Sequence, residues 1–600
     1  MKRFTLVIAA FLLLGGCGTT PSPLDDVDPT IGGVGVLLQP TRPTVQIPNQ
    51  VIRWSPGRAD LLDDQISDFP LTLTTHRLES VFGFLPLEKG CENAQWWTMR
   101  QEYDHEHTSP FGYSVLLQGC SLSFAPSKHS GIIELCFENG GLMRLKALNG
   151  LGEFSLDDDG GLRGKEHFHG MDAYTYIEFD SPVKLSASTP EGNSVLLSTD
   201  ASTIRLRYGI SYIDADRARD NLHREIPSWS IGKVQADARA SWEEALGKIK
   251  VKGGGEARRR LFYTSLYRCY ERPVNINEYG KYYSAFDHAV HESARPFYND
   301  NWMWDTHISL EPLHMILDPA KEEDKLQSYV EMYKQCGDIP SFAVIWGDWP
   351  AMTGNYAAVW MADALSKGLS FDYETAYEGL KKNSLDATLL PWRNGPRCPL
   401  DDFYNENGWY PALHPGEAET EPAVSMPWER RQAVSLSTAF SYADWATAQI
   451  AARLGKSEDE ALFLKRAAFY RNVYRPDKGM FWPKDKDGNW IEGVDPRYMD
   501  RAYYTENNAY TFQWDVKHDL YGLFDLMGGP QEAEKKLDDL FRIPLGMAKF
   551  QFFTYLPDAT GMVGQFAMGN EPSFHIPYIY NYLGAPYKTQ KRIHQLIDML

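Results

Sequence analysis

Two stretches near the C-terminal end of the sequence place acids among amides and aromatic residues. In the first, Tyr503–Asp519, Glu506 is followed by Asn507 and Asn508, and aromatic residues including Trp514 come next. Aromatic faces stack on the apolar face of a sugar ring, amides bond its hydroxyl groups, and a partly desolvated carboxyl group can hold a proton near neutral pH. These residue types favour a site that cleaves sugars. The alternative is a pair of packed helices in which the aromatics form the core and the acids cap the helices.

The second stretch, Gly569–Tyr578, places Glu571 between Asn570 and Pro572. Carboxylate and amide oxygens are common calcium ligands, but Ca²⁺ takes about six to eight oxygens. One acid and one amide are far from a complete set, so the residues by themselves indicate a metal site only weakly. His575 in the same stretch fits a functional residue and a packed core histidine equally well.

The size and charge of the chain limit the classes of function. With 600 residues it is too long for one ordinary core, so two or more domains are expected. A net charge of −20 argues against nucleic acid as a partner, because a phosphate backbone requires a basic face. The aromatic content of 13% suits a carbohydrate-binding surface, although large cores also use aromatic residues.

The N-terminus has the composition of an export signal. Met1–Arg3 is basic, and the apolar run Phe4–Leu14 leads to a box of small residues ending in Cys17, which resembles a bacterial lipoprotein signal. The apolar run is too short to span a bilayer of about 30 Å. The alternatives to a lipoprotein signal are a plain signal peptide and a short membrane helix. We therefore predict a signal over residues 1–17, lipidation of the cysteine, a flexible tether over 18–28, and anchoring to the cell envelope through the lipid alone.

Residues 29–230 have the pattern of a β domain. Short alternating runs are separated by clusters of Gly, Asn, Asp and Pro that form turns. Many short strands with frequent turns predict an antiparallel β-sandwich. Export permits disulfides, which leaves a Cys120–Cys136 bridge open. The predicted strands include Tyr113–Leu117, Gly131–Phe137, Val195–Ser198 and Thr203–Tyr208.

From Ala215 onward the hydrophobic period changes to that of helices. Residues 231–256 contain the amphipathic stretch Asp237–Ile249, which we predict to be a linker helix between domains. Paired helical segments over 257–600 are typical of an (α/α)6 toroid, whose inner helices carry the site at one mouth. The sequence stops inside the amphipathic run Lys588–Leu600, so we expect the toroid to be incomplete. The predicted helices are 257–271, 303–317, 322–335, 355–368, 372–388, 436–454, 458–473, 510–527, 530–541, 572–583 and 588–600.

Several C-terminal segments together resemble the calcium-dependent exo-α-mannosidases of glycoside hydrolase family 92. The resemblance is ordered along the chain and covers roughly residues 260–600, whereas the N-terminal part matches only around Val27–Gly33. The matching segments are Leu261–Arg268, Trp304–Thr306, Gly354–Gly368, Ser435–Trp445, Phe469–Asn489, Tyr504–Asp519 and Gly564–Gln590.

The resemblance implies a β-sandwich followed by an (α/α)6 toroid that hydrolyses α-mannosides with inversion, so that mannose-containing glycans are the partners. Glu506 corresponds to the general acid, which must be protonated at the working pH. Asp305, beside Trp304, corresponds to a residue that binds hydroxyls of the terminal sugar. A carboxylate suits this role because it can accept two hydroxyl protons at once. Asn508 and Trp514 are further candidates for contacts with the sugar.

Within the same resemblance, Glu571 and Asn570 look like part of a calcium and sugar site, with Asn507 and Gln565 as weaker candidates. The calcium ion would bind the 2- and 3-hydroxyls of the mannose. An inverting enzyme also needs a second carboxylate about 6.5–9.5 Å from the acid, to activate water. In the family this base follows the helix that resembles Lys588–Leu600, so we expect it beyond the end of the sequence.

Two departures from the family pattern keep other functions open. His307 follows Thr306 where the family often has an aromatic residue, and Asp68–His76 replaces the family's usual histidine-containing segment. The sequence also lacks the expected base. The alternatives to a calcium-dependent exo-α-mannosidase are a non-catalytic surface lipoprotein that binds glycans and a toroid glycosidase with another sugar specificity.

Overall fold

The structure is a computed structural model that describes most of the chain. The predicted signal peptide and the lipidation site Cys17 lie outside the described residues. None of the described helices is long and apolar enough to span a bilayer. The described residues are 22–35, 41–75, 79–92, 95–424, 426, 429–499, 501–548, 550–552 and 561–599.

The N-terminal part of the chain is built from short antiparallel strands. The strands are β1 (Val45–Gln46), β2 (Arg53–Trp54), β3 (Gln65–Ile66), β4 (Phe69–Leu73), β5 (Ser80–Leu87), β6 (Gln101–Ser109), β7 (Gly112–Leu117), β8 (Cys120–Pro126), β9 (Ser130–Phe137), β10 (Gly141–Lys146), β11 (Leu151–Leu156), β12 (Leu162–Phe168), β13 (Met171–Phe179), β14 (Lys184–Ser188), β15 (Ser194–Thr199) and β16 (Thr203–Ser211).

Most of these strands form two sheets, one with five strands in the order β14-β15-β10-β5-β4 and one with nine in the order β11-β12-β13-β16-β9-β8-β7-β6-β3. Trp54 lies between the sheets. Its ring stacks on Phe69 of the five-stranded sheet at 5.0 Å and on Phe124 of the nine-stranded sheet at 4.3 Å between centroids. Such stacked aromatics bury a large apolar area between the two inner faces. The predicted antiparallel sandwich is confirmed, and the four strands named from the sequence lie in β7, β9, β15 and β16.

The two cysteines considered for a disulfide are both free thiols. They lie on the paired strands β8 and β9, but Cys120 is opposite Phe137, whereas Cys136 is opposite Ser121. Because successive side chains of a strand point to opposite faces, this one-residue offset puts one thiol in the core and the other at the surface. The open possibility of a bridge is therefore not realised.

The segment predicted as a flexible tether is ordered over its described part, so that prediction is wrong for residues 22–28. Pro23–Asp26 forms one turn of 3₁₀ helix, and Leu24 is buried against Trp242 and neighbouring aromatic residues. The backbone N–H of Asp28 donates to Thr264 Oγ1 at 2.9 Å. The sequence pattern missed this contact because a single leucine among polar residues has no periodicity.

The rest of the chain is mainly helical. Its helices are α1 (Ala215–Glu225), α2 (Ile231–Leu246), α3 (Gly255–Arg268), α4 (Met303–Thr306), α5 (Leu310–Leu317), α6 (Pro319–Cys336), α7 (Tyr356–Ser366), α8 (Tyr373–Leu385), α9 (Pro399–Asn407), α10 (Ala433–Arg453), α11 (Ser457–Ala467), α12 (Ala509–Phe512), α13 (Leu520–Leu526), α14 (Pro530–Leu540) and α15 (Pro586–Met599).

Short hairpins decorate the connections between these helices. They are formed by β17 (Val274–Asn275), β18 (Lys281–Ser284), β19 (Ala289–Glu292), β20 (Tyr298–Asn299), β21 (Asn301–Trp302), β22 (Phe342–Val344), β23 (Gly347–Asp348), β24 (Ala387–Leu390), β25 (Arg393–Pro396), β26 (Tyr474–Arg475), β27 (Met480–Phe481), β28 (Met562–Val563) and β29 (Phe566–Ala567).

Helix α10 is at the centre of the helical domain. It packs against α7, α8 and α11, and most of its residues are buried on all sides. Its many Ala and Ser side chains let neighbouring helices approach closely, and a helix that is apolar around its circumference belongs in a core. The N-terminal end of α10 also holds the segment before Glu506, because the N–H groups of Val434 and Ser435 donate to Tyr503 O at 3.0 and 3.2 Å.

Five of the predicted helices correspond to α6, α7, α8, α10 and α14. Three other predicted helices are interrupted at the site. The stretch 303–317 divides into α4 and α5, and 510–527 divides into α12 and α13 with a loop between them. The stretch 572–583 is two short 3₁₀ helices, Glu571–Ser573 and Ile576–Asn581, each with a proline near its start. Helix α9 was missed. Interruptions of this kind expose backbone and side-chain groups that a continuous helix would cover.

Candidate active site

Glu506 has an unusual backbone conformation. Its φ is +51°, in the left-handed region that few non-glycine residues adopt, at a cost of about 1–3 kcal/mol. The flanking residues hold it there: the Thr505 N–H donates to Ser435 Oγ at 2.7 Å, and the Asn508 side chain accepts the N–H groups of Tyr510 and Thr511 at the start of α12. A strained residue that its surroundings over-determine is a mark of a functional position.

Two polar side chains contact the Glu506 carboxylate, which is only 13% exposed. Arg501 Nη2 donates to Oε1 at 3.3 Å, and Asn570 Nδ2 donates to Oε2 at 3.3 Å. The other end of the Arg501 guanidinium contacts the buried carboxylate of Glu429. The arginine is therefore shared between two acids, and Glu506 is held beside the residue that precedes Glu571.

Glu571 lies between two cavities. The inner cavity is small and enclosed by aromatic and polar side chains, and the outer cavity has a volume of about 330 Å³ and opens toward the N-terminal domain. Glu506 lines neither, but its neighbour Thr505 lines the inner one and its partner Asn570 adjoins Glu571. The inner cavity is lined by Trp304, His307, Ile308, Thr353, Tyr356, Ser435, Thr505, Phe512, Asp515, Lys517, Glu571 and Pro572. The outer cavity is lined by Thr41, Arg42, Thr44, Arg268, Cys269, Glu271, Arg272, Asp305, Thr306, Leu310 and Glu571.

The short helix α4 directs two of the predicted residues into different cavities. Trp304 lines the inner cavity and Asp305 lines the outer one, together with Glu571. The structure therefore brings Asp305 and Trp304, predicted to contact the sugar, to cavities that share Glu571, predicted to bind metal. Glu506, the predicted acid, lines neither cavity and is linked to Glu571 through Asn570.

Two predicted sugar contacts lie elsewhere. Trp514 is fully buried in the core, and its backbone O accepts a hydrogen bond from His575 Nε2 at 2.8 Å. Asn508 is also fully buried; besides capping α12, its amide donates to Gln565 Oε1 at 2.8 Å. Both side chains support the wall behind Glu506, and neither lines a cavity. The contact of His575 with Trp514 favours the interpretation of His575 as a packed core histidine.

The inner cavity holds a neutral histidine beside an ion pair. The His307 ring stacks on Tyr356 with 4.2 Å between centroids, and its Nδ1 lies 3.0 Å from the carbonyl oxygens of Met303 and Trp304. Burial lowers the pKa of His307 to about 3, so the ring is uncharged at neutral pH. Its Nδ1–H donates to the carbonyls, which leaves Nε2 as an acceptor. Lys517 pairs with Asp515 in the same cavity.

The outer cavity is lined by three arginines. Arg268 donates to Glu271 Oε1 at 3.1 Å, and the Arg272 guanidinium lies 4.7 Å from the centre of the Trp302 ring, at the start of α4. Arg42 comes from the loop that leads into β1. Burial lowers the pKa of Arg42 and raises the pKa of Glu271, since both groups are poorly solvated.

The sequence analysis missed these cations. Lys517 lies inside the motif stretch and Arg501 only two residues before it, so their positions could have suggested a role. Arg42 and Arg272 have no such signal, because they are isolated basic residues in loops, far apart in sequence. Only the docking of the loop before β1 on α3 brings them to Asp305.

The oxygens next to Glu571 do not fit a calcium ion. Asn570 Oδ1 accepts the Asn507 amide at 3.2 Å, and the Gln565 side-chain oxygen accepts the Asn508 amide at 2.8 Å. These oxygens face N–H donors, whereas calcium requires several oxygens turned toward one point. In the outer cavity the acids Glu271, Asp305 and Glu571 are also matched in number by three arginines, so positive charge is already present there without a metal.

One other group in the described residues has the composition of a metal site. It consists of Glu311, His314 and Glu322, all buried. Lys325 Nζ occupies its centre, 3.0 Å from Glu311, 2.9 Å from Glu322 and 2.6 Å from His314 Nδ1. An ammonium group in that position supplies the positive charge that a metal would otherwise bring.

Comparison with known proteins identifies the relatives of this chain. Residues 217–600 match the family model described as the glycosyl hydrolase family 92 catalytic domain. A curated relative, an uncharacterized secreted glycosidase of Arthroderma benhamiae, is 25% identical over 434 residues. That match covers 67% of this chain and 47% of the relative, so the chain spans about half the length of the relative.

Solved structures share the fold. A family GH92 inverting mannosidase from Bacteroides thetaiotaomicron superposes with a TM-score of 0.84 at 24% identity, covering 97% of this chain and 83% of the other. A family GH92 alpha-mannosidase from the same organism superposes with a TM-score of 0.81 at 22% identity, covering 96% and 81%. The second has also been solved in complex with mannoimidazole, with the same scores. At these identities the likeness establishes the fold alone.

Proposed function

We propose that this chain, which belongs to glycosyl hydrolase family 92, is an exo-acting α-mannosidase that removes terminal α-linked mannose from glycans with inversion. The observation that carries the proposal is the contact of Glu506 with Asn570, because Asn570 directly precedes Glu571, which lines the outer cavity together with Asp305. Mannosidase activity and a mannoimidazole complex among proteins of the same fold support mannose as the sugar.

In the proposed reaction Glu506 is the general acid. It protonates the glycosidic oxygen as the bond to the anomeric carbon breaks, while water attacks that carbon from the opposite face. Asp305 and Glu571 accept hydrogen bonds from sugar hydroxyls in the outer cavity, and Trp304 forms part of the adjoining wall. Calcium takes no step here, because the described oxygens near Glu571 do not fit that ion.

The base that activates the water is not assigned. Two acids in segments that match the family are engaged in structural contacts. Asp444 is fully buried and bonds Arg466 Nε at 2.8 Å, and Asp519 accepts the Tyr470 hydroxyl at 2.6 Å while capping α13. Neither residue lines the inner or the outer cavity.

Glu506→Gln tests the proposal. It keeps the shape of the side chain and removes the transferable proton, so kcat on an α-linked mannobiose should fall by about 10²–10⁴-fold. The loss on p-nitrophenyl α-mannoside should be much smaller, because nitrophenolate leaves without a proton. The matched control is Glu492→Gln, which neutralises an exposed glutamate paired with Arg475 at the surface.

The stereochemistry and the outcomes that contradict the proposal are measured with the same proteins. Proton NMR of the first product should show β-mannose, the signature of inversion. Equal losses on both substrates would remove Glu506 from the acid role. If the wild-type protein binds mannoimidazole but releases no mannose from either substrate, the alternative of a non-catalytic glycan-binding protein replaces the enzyme.

We also propose that the protein is exported and anchored to the cell envelope through a lipid on Cys17. The basic and apolar N-terminal residues support this, as does the description of the fungal relative as secreted. Cys17→Ser should move the protein from the detergent phase to the aqueous phase of a Triton X-114 extraction. Partition into the aqueous phase by the wild-type protein would contradict the anchor.

A further inference from the structure

The position between Asp305 and Glu571 is surrounded by the positive charges of the chain itself. Arg42, Arg268 and Arg272 line the outer cavity together with both acids, and Lys517 lines the inner cavity on the other side of Glu571. The three arginines of the outer cavity equal in number its acids Glu271, Asp305 and Glu571. The cavity therefore offers hydrogen-bond donors and acceptors side by side.

The arginines are fixed in place by contacts outside the cavity. Arg268 Nη2 donates to the carbonyl oxygens of Pro29 and Ile31 at 3.0 and 2.8 Å, which ties the N-terminal loop to α3. Its Nη1 lies 3.4 Å from Arg42 O, so the same side chain positions the next arginine of the cavity. A guanidinium held by such contacts loses little further freedom on binding a ligand.

Arg272 is positioned through an aromatic ring. Its guanidinium lies 4.7 Å from the centroid of Trp302, within the range of a cation–π contact. Trp302 ends β21 and directly precedes α4, so the contact aligns the arginine with Asp305 three residues later. The loop that contributes Arg42 and the segment after α3 that contributes Arg272 therefore line one cavity with Asp305, the carboxylate predicted to bind the sugar.

A guanidinium can perform part of the task of a calcium ion toward a sugar. Calcium attracts the lone pairs of two adjacent hydroxyl oxygens, and the N–H groups of an arginine donate to the same lone pairs. A carboxylate beside the arginine accepts the hydroxyl protons. An Arg and Asp pair therefore binds both the oxygen and the proton of a hydroxyl group. Such a pair does not require the set of oxygen ligands that a metal ion needs.

We infer that arginines of this chain, Arg272 and Arg42 above all, take the place of a calcium ion at the Asp305–Glu571 position, so that sugar binding here is independent of calcium. This inference rests on the proposed function for the identity of the sugar. The statement about calcium stands on the arginine-lined cavity and on the amide oxygens that already face N–H donors.

The first test measures calcium without using activity. The full chain is stripped with EDTA, dialysed, and titrated with calcium chloride by calorimetry, while its metal content and melting temperature are measured in parallel. We expect no saturable binding and the same melting temperature in EDTA and in calcium, because only a bound ion stabilises the folded state. One calcium ion per chain, with a higher melting temperature in calcium, overturns the inference.

The second test measures binding of mannoimidazole in excess EDTA. Arg272→Met keeps the length and apolar stem of the side chain and removes its donors, so affinity should fall by about 10- to 100-fold, the loss typical of a hydrogen bond to a charged group. Arg272→Lys should recover part of it. The control is Arg295→Met, at an exposed pair with Asp324.

Arg42→Met provides a second variant in a different element, in case the first fails to fold. Wild-type affinity in both methionine variants overturns the inference, as does loss of wild-type binding in EDTA that calcium restores. If the wild-type protein binds no mannoimidazole under any condition, the proposed function is contradicted. The calcium titration then still decides whether the site binds the ion.

Discussion

Two clusters in the helical domain each combine a cation with carboxylates, but they differ in how far their side chains are buried. The closed cluster consists of Lys325, Glu311, Glu322 and His314, each at most 1% exposed or fully buried. In the site cluster Arg501 lies between two glutamates, and the arginine and Glu506 are 30% and 13% exposed. Both place one cation between two carboxylates.

The closed cluster is held together by contacts within the protein. Lys325 contacts both glutamates and His314, Asn301 donates to Glu311 Oε1 at 2.8 Å, and Trp360 Nε1 donates to Glu322 Oε1 at 2.6 Å. Its side chains are buried. In the site cluster the Glu506 carboxylate is partly exposed, and its contacts with Arg501 and Asn570, both at 3.3 Å, are longer. The comparison indicates that burial, more than residue type, separates a structural cluster from a functional one.

The largest expected effect lies in the closed cluster. Lys325→Met removes the cation that pairs with two buried carboxylates, and breaking such a pair costs about 3–5 kcal/mol of unfolding free energy. Urea unfolding measures the loss. The control is Lys334→Met, which breaks an exposed pair with Glu331 and should change stability by less than about 0.5 kcal/mol. Equal stability of the two variants would erase the distinction between the clusters.

The second prediction concerns pH. Burial, with Glu311 close by, raises the pKa of Glu322 to about 8, because one lysine cannot balance two ionised glutamates in the interior. The folded state therefore keeps this proton between about pH 4.5 and 8, where the unfolded chain has lost it. This contribution to stability is full below about pH 4.5 and is lost as the pH rises through 8.

The measurement is the free energy of unfolding across that window in the wild type and in Glu322→Gln. The glutamine keeps an oxygen for Trp360 and cannot ionise. The wild type should lose up to about 1.4 kcal/mol per pH unit more than the variant. Parallel curves would mean that Glu322 is ionised in the folded protein and that the closed cluster carries a net charge.

The smallest effect is expected in the site cluster. Arg501→Met removes the contact of the guanidinium with Glu506 Oε1 and should lower kcat on mannobiose by about tenfold, equivalent to about 1.4 kcal/mol. The unfolding free energy should change by less than about 1 kcal/mol, because the pair is partly solvated. The control is Arg497→Met, whose exposed side chain pairs with Asp495 on the same loop. A large loss of stability with unchanged kcat would make Arg501 structural.

Much of this protein was readable from its sequence. Alternation of apolar residues with period two placed β7, β9, β15 and β16, and the helical period placed α10, because each pattern follows from one local backbone geometry. Residue types drew attention to the stretches around Glu506 and Glu571, and the family resemblance supplied the roles of the two acids. The sequence therefore determined the fold class and predicted the acids of the candidate site.

Other features depend on contacts between distant segments. Local patterns could not show that Leu24 packs against Trp242, that Trp514 and Asn508 face the core, or that the predicted helices break beside Glu506. Arg42 and Arg272 are 230 residues apart by their numbering and meet at Asp305 only because Arg268 docks the N-terminal loop on α3. Tertiary structure decided which cations face the acids, since electrostatic interaction depends on distance in space and the sequence records only distance along the chain.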